Sequence, residues 1–270
     1  MRVGDALKNG VNKNTGKTGL SRGKKMPTAE WMKQYEAVRE ILDADVKLER
    51  YFTEKVIGRK EVDILDLGPV HFPTGKIVVC DPMVTLDDAV PYLQTIPAGS
   101  YTLKLCVVPS KAYGDRYACA KLEVSGRETV RYELAVTGEE RLEGEFKEGD
   151  YFGFGVDAGM ACIADFATKE AYLAFLEEKT KQDSDFDLYG DLLEELLKKN
   201  AAEHPKYQGE WGDWLKWEVP GANAEVALFA SGWGDGYYPT YFGYDSEGEV
   251  SGIYIQFIDI ERTYTEENEA

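Results

Sequence analysis

A chain of 270 residues with 43% hydrophobic and 30% charged residues has the material for one large folded core and needs no disulfide framework to hold it. Its formal net charge of −18 opposes phosphate backbones and anionic lipid heads, so nucleic acid and membrane surfaces are excluded as expected partners. Cationic ligands, metal ions and basic proteins remain compatible with it.

Residues 1–26 read as a flexible basic arm, with Lys8, Lys13, Lys17, Arg22, Lys24 and Lys25 interspersed with Gly and Asn. The start has basic residues but no apolar run of the secretory kind. Thr28 is placed to cap a helix whose apolar positions Trp31, Tyr35, Val38 and Leu42 recur at helical spacing. From about residue 63 the pattern becomes one of strands. Lys76 to Cys80 is a continuous apolar run, and Tyr101 to Val107 alternates. Arg116 to Ser125 and Thr129 to Val136 predict a hairpin turning at Ser125-Gly126-Arg127. Tyr151 to Asp157 and Ala161 to Asp165 predict two strands about Gly159.

Residues of about 168–203 form a helical insertion, with Thr168 as the cap of its first helix. Tyr189, Leu192, Leu193, Leu196 and Leu197 give its second helix an apolar stripe. Strands return at Glu225 to Ala230, Tyr237 to Tyr244 and Glu249 to Asp259. The last two are joined by the turn signal Asp245-Ser246-Glu247-Gly248. The expected fold is mainly β (α+β): an antiparallel β-sandwich or open barrel with an N-terminal helix and a helical hairpin insertion. Residues 27–262 are expected to form a single globular domain, followed by a polar tail over 263–270.

The four cysteines, Cys80, Cys106, Cys119 and Cys162, share no C-x-x-C spacing, and each falls in an apolar run. They read as buried thiols of a cytoplasmic protein rather than bridges or zinc ligands. No stretch reaches the roughly 18 apolar residues of a membrane span. The chain has two histidines, His71 and His204, and neither is placed to serve as the base of a nucleophile triad; the count also excludes a three-histidine metal site. There is no G-x-G-x-x-G after a strand and no Walker-type loop.

Three segments carry the polar chemistry. The first is Pro73-Thr-Gly-Lys-Ile-Val-Val-Cys-Asp81-Pro82, in which Asp81 ends a strand and is held extended by the proline. The second is Phe154-Gly-Val-Asp157-Ala-Gly159, followed by Asp165. The third is Ser231-Gly-Trp233-Gly-Asp235-Gly-Tyr-Tyr238-Pro239. In this order and spacing the segments resemble the bacterial domain-of-unknown-function family 4241, from about residue 62 to 260. The resemblance implies a shared fold and carries over no catalytic residue.

Read physically, the glycines of the third segment let the backbone turn sharply or come close to a ligand. Asp235 within it opposes an anion and favours a cation, a sugar or an amine. The candidate ligand-binding residues are Asp81, Asp157, Asp165, Ser231, Trp233, Asp235 and Tyr238. Should Asp81, Asp157 and Asp235 converge, Mg²⁺ or Ca²⁺, a basic partner or a raised pKa would relieve their repulsion. The competing reading is that each Asp closes a turn by accepting from nearby N–H groups.

Asp183 to Glu194 places acids at the positions of a calcium loop, but Leu188 stands where the sharp turn needs glycine. The acids of a helix start explain it equally. Trp211, Trp214 and Trp217 read as packing residues or as stacking platforms. The functional expectation is a non-catalytic binding module for a small polar ligand or a basic protein. The alternative is a carboxylate-dependent, metal-assisted hydrolase built on Asp81, Asp157 and Asp235.

Overall fold

The computed structural model describes residues 27–44, 46–111, 114–221 and 225–265. The basic arm and the end of the polar tail lie outside them. Helix α1 (Ala29–Val38) starts where Thr28 predicts: the Thr28 hydroxyl accepts the Trp31 N–H at 3.1 Å. A short α2 (Arg50–Thr53) follows, and β1 (Val56–Ile57) and β2 (Lys60–Glu61) form a small ladder. Next come β3 (Asp63–Phe72), β4 (Ile77–Cys80), β5 (Gly99–Val108), β6 (Arg116–Glu123), β7 (Arg131–Leu134), β8 (Phe154–Val156) and β9 (Met160–Asp165). The helical segment is α3 (Phe166–Gln182), a π-helical turn (Tyr189–Leu193) and α4 (Glu194–Glu203). The chain closes with β10 (Trp214–Glu218), β11 (Glu225–Ala230), β12 (Gly236–Tyr238), β13 (Thr240–Tyr244), β14 (Val250–Gln256) and α5 (Ile260–Thr263).

All pairings are antiparallel. A six-stranded sheet runs β3-β5-β6-β14-β13-β7, and a four-stranded sheet runs β10-β11-β9-β4. Strands β8 and β12 pair separately. The four-stranded sheet is buried on both faces, and the alternation of its side chains shows how. Ile77 and Val79, Ala161 and Ile163, Ala227 and Phe229 join the core shared with the six-stranded sheet. Their neighbours Val78 and Cys80, Cys162 and Ala164, Val226 and Leu228 face a second core, built with Tyr172 and Phe175 of α3 and with Leu193 and Leu197. The result is a β-sandwich with helices on its outer side, and it explains why β4 and β9 read as continuous apolar runs rather than alternating ones.

The six-stranded sheet carries a buried polar cluster on a face that α2 approaches. The Lys121 ammonium donates to both Glu49 oxygens at 2.8 Å, and the Tyr254 hydroxyl bonds Glu49 and Thr129. Burial and the Glu49 carboxylate push the Tyr254 phenol far up.

The structure corrects four sequence expectations. First, β6 and β7 do not form a hairpin: β14 and β13 lie between them. The Val124 and Ser125 N–H groups both go to the Ser251 carbonyl at 3.0 Å, and Arg127 reaches Asp245 and Glu247 on the turn between β13 and β14. The Ser125-Gly126-Arg127 signal therefore marks a crossing over that turn, and the flank of β6 is taken by an apolar strand from far along the chain. Second, α3 is capped by Asp165, whose carboxylate accepts the Ala167 N–H at 2.8 Å, and the Thr168 hydroxyl is buried with no partner among the described residues. Third, the predicted strand Tyr237 to Tyr244 is two strands in different sheets, divided at Pro239, which has no N–H for a ladder. Fourth, strands return before Glu225, at the edge strand β10, on which Trp214 and Trp217 are buried as packing residues.

Candidate functional site

Asp81 comes directly after β4 and is fully buried. One carboxylate oxygen accepts the N–H groups of Met83 (2.9 Å) and Val84 (3.2 Å), closing its own turn. The other accepts those of Asp157 (2.9 Å) and Ala158 (2.8 Å), gripping the turn between β8 and β9. Four hydrogen bonds from backbone donors offset the cost of holding a carboxylate away from water.

The same turn is held from its other side by the third segment. The Gly159 N–H donates to an Asp235 oxygen at 3.1 Å, and the Gly159 carbonyl accepts the Ser231 N–H at 3.2 Å. The buried Ser231 hydroxyl lies between the carbonyls of Gly159 (3.0 Å) and Gly234 (2.8 Å). The Tyr238 hydroxyl also donates to the Gly234 carbonyl at 2.8 Å. Glycine is required at Gly232: its φ is +63°, and a Cβ there would meet the Phe257 Cβ at 2.8 Å. It is required again at Gly153, where a Cβ would stand 2.1 Å from the Tyr238 carbonyl oxygen.

The fold thus brings Asp81, Asp157, Ser231, Asp235 and Tyr238 into one hydrogen-bonded network of loops. Within it the polar atoms divide into two sets. Asp81, Ser231 and Tyr238 are buried and engaged with backbone groups. Asp157 and Asp235 are exposed, and the Asp157 carboxylate makes no hydrogen bond or ion pair with the described residues. Asp165 lies elsewhere. It ends the strand that begins beside Gly159, is fully buried, and accepts from Thr74 N–H and hydroxyl, Gly75 N–H and Ala167 N–H. Among the described residues no group of three or more His, Cys, Asp or Glu side chains is placed to hold a metal ion.

Exposed aromatics surround the network. Trp233 is 53% exposed, with the Arg116 guanidinium 5.2 Å from its ring centre. Tyr151 and Tyr237 are half exposed and stack at 6.1 Å and 15°. The Tyr151 hydroxyl donates to the Tyr237 carbonyl, and the Tyr237 hydroxyl accepts the Gly153 N–H, which fixes both rings. Partial burial pushes both phenols above their ordinary value, so they stay neutral donors.

A cavity of about 300 Å³ opens beside these loops, between Val79 and Cys80 of β4 and Phe154 and Gly155 of β8. Its charged lining is entirely acidic: Asp88, Glu139 and Glu140. Glu140 is held by the N–H groups of Thr137 and Gly138. Sequence reasoning missed all three acids. The available signal was Thr137-Gly-Glu-Glu140, a turn motif whose place beside β4 is set by the fold, since Leu93 N–H bonds the Val136 carbonyl.

The other sequence candidates resolve locally. In Asp183 to Glu194, Asp187 accepts the Gly190 N–H and Asp191 accepts the Asp187 N–H, so the acids close a π-helical turn. His71 stands within β3 with Nδ1 3.1 Å from the Ser100 hydroxyl, and His204 ends α4. The four cysteines are buried and unbridged; Cys80 faces Cys162 and Cys106 faces Cys119 on adjacent strands. No described helix is long and apolar enough to cross a membrane.

Fold and loops together define a two-sheet β-sandwich with outer helices and a carboxylate-tied loop end. The family described as "Protein of unknown function (DUF4241)" matches residues 70–255, and the chain belongs to that family. The match begins within β3 and ends within β14, so it takes in all three loop segments and the helical insertion. Comparison with curated proteins and with solved structures gave no match.

Proposed function

We propose that this protein is a non-catalytic binding module that recognises a small polar cation, or the basic surface of a protein, through the acidic and aromatic loop face beside β4. The observation that carries this reading is the division of labour within the loop network. Its buried polar groups are engaged with backbone atoms, which makes the loops rigid, and its exposed groups are two carboxylates among fixed aromatic rings. A rigid surface of rings and carboxylates binds an ammonium or guanidinium group without having to order itself first. The acid-lined cavity beside it is of a size for a small amine.

The metal-assisted alternative draws less from the same atoms. Each Asp81 oxygen already accepts two N–H groups, and freeing them for a cation would undo two turns. Ser231 has no histidine near it in the network and a hydroxyl directed at carbonyls.

The test is thermal unfolding of the full chain against phenethylamine, spermidine, a lysine-rich peptide, neutral sugars and Mg²⁺ or Ca²⁺. A ligand at about one hundred times its dissociation constant adds roughly 2.7 kcal/mol, a rise of a few degrees in Tm. The reading expects a rise with the cations that is lost in Asp157→Asn and Trp233→Ala. A rise with the divalent metals alone would replace it with the metal-site alternative.

A further inference from the structure

A second and larger cleft, of about 600 Å³, lies at the opposite edge of the four-stranded sheet. It is bounded by the edge strands β3 and β10 and by the C-terminal end of α4. Part of its lining is apolar: Leu65, Leu67 and Trp214. Its charged lining is Lys206 and Lys216 against one carboxylate, Asp66, which is engaged with the Gly68 N–H at 2.7 Å, and His204 and Asn200 complete the polar wall. In a chain with 49 acidic and 31 basic residues, a cleft lined by two lysines and one carboxylate departs from the average.

Three features show that the cleft is built rather than incidental. The Lys216 ammonium donates to the Pro69 carbonyl at 3.1 Å and has no carboxylate partner among the described residues, so its charge is left for something else. It sits at the bulge in β3, where Gly68 takes φ +75° and a Cβ would come within 3.5 Å of the ammonium. Lys206 is fixed by Asp63 at 2.9 Å, and the next residue, Tyr207, is held at φ +60°, a backbone strained for a tyrosine. Its hydroxyl donates to Asp63 at 2.6 Å, and its carbonyl accepts the Tyr117 hydroxyl at 2.8 Å. Strain held by two outside bonds, next to the cleft-lining Lys206, marks a position worth holding. Trp214 is 7% exposed and its indole N–H has no acceptor among the described residues. An unmet buried donor is costly, and the ring that carries it lines the cleft.

From these we propose that the β3–β10 cleft binds a small organic anion, with a carboxylate or phosphate head at Lys216 and Lys206 and an apolar or aromatic body against Leu65, Leu67 and Trp214. This site is separate from the loop face and takes a ligand of opposite charge, so either assignment stands or falls without the other.

The experiment tracks the Trp214 indole N–H resonance of the ¹⁵N-labelled full chain, assigned by its loss in Trp214→Phe. Phenylacetate and phenyl phosphate are titrated as anions, with phenethylammonium as the cation of similar shape. Both anions are expected to move the resonance to saturation, and the tighter of the two names the head group. Lys216→Glu is expected to weaken them by at least about tenfold, with the rest of the spectrum unchanged. Lys216→Met, which keeps the stem without the charge, serves if the reversed charge unfolds the chain. The proposal is overturned if neither anion moves the resonance up to about 10 mM, if the cation moves it equally, or if the Lys216 variants bind as the parent does.

Discussion

At the β4 edge of the four-stranded sheet the charged lining is carboxylate throughout; at the β10 edge, one strand width beyond β11, it is two ammonium groups and one carboxylate. Both edges border the same two cores, and both use a buried or half-buried aspartate to fix a neighbouring loop. Asp81 does so with four backbone N–H groups and no cation; Asp63 does so with a lysine, a tyrosine hydroxyl and its own strand's N–H. Net charge describes what the whole surface repels, whereas local charge depends on which loop each strand end ties down. A net −18 leaves room for a basic cleft because the acids are distributed by structure and not by average.

The contrast between the edges is broken most severely at Asp81. Asp81→Ala removes the acceptor of four N–H groups and leaves them in a fully buried place. The expected loss is about 3–4 kcal/mol, the range of a buried network lost at one stroke. Urea denaturation measures it. A loss under about 1 kcal/mol would mean that water replaces the carboxylate and that the turn is not held as described.

At the basic edge the same operation costs less. Tyr207 and Lys206 hold the Asp63 carboxyl down to about 2, from an ordinary 3.8. The group is about a third exposed, so solvent screening leaves an expected loss of about 1–2 kcal/mol for Asp63→Asn at pH 7. The sign comes from the lowered value. The stabilisation is present above pH 4 and is lost as pH falls through 2, because the unfolded chain takes up the proton first. The parent should therefore lose stability between pH 4 and pH 2 relative to Asp63→Asn. A constant difference between the two across that window would mean that the Asp63 charge does not hold this loop.

Much of this was legible in the sequence, and the failures have physical causes. The three loop segments were singled out from glycine and aspartate spacing, and the fold does join parts of all three, because turns need those residues wherever they occur. The sandwich class came from short strands with turn signals. What escaped was partner choice. The β6–β7 hairpin had a sound local signal, yet β14 won the place beside β6 from more than a hundred residues away. Asp165 had the same composition cues as Asp157, but Asp165 caps α3 and Asp157 turns the corner between β8 and β9, a distinction made by the element that each strand leads into. The basic cleft was invisible because its lysines come from β10 and the turn before it, and nothing in Lys206 or Lys216 names β3 as their neighbour.

The smallest expected effect separates strain from contact at the basic edge. Tyr207→Phe keeps the ring and the φ of +60° and removes the hydroxyl bond to Asp63. It should cost about 1 kcal/mol at pH 7, the net worth of a hydrogen bond to a charged acceptor at a partly exposed site. Tyr207→Gly removes the bond and the ring but relieves the backbone, worth about 1 kcal/mol in return. If strain is truly held there, the glycine variant lies close to the phenylalanine variant despite losing its packing. If it falls far below, the ring carries the position and the backbone was never under load. In either variant Asp63 loses the stronger of its two side-chain donors, so its carboxyl should titrate nearer its ordinary value, which carbon-detected NMR of the carboxylate reads directly.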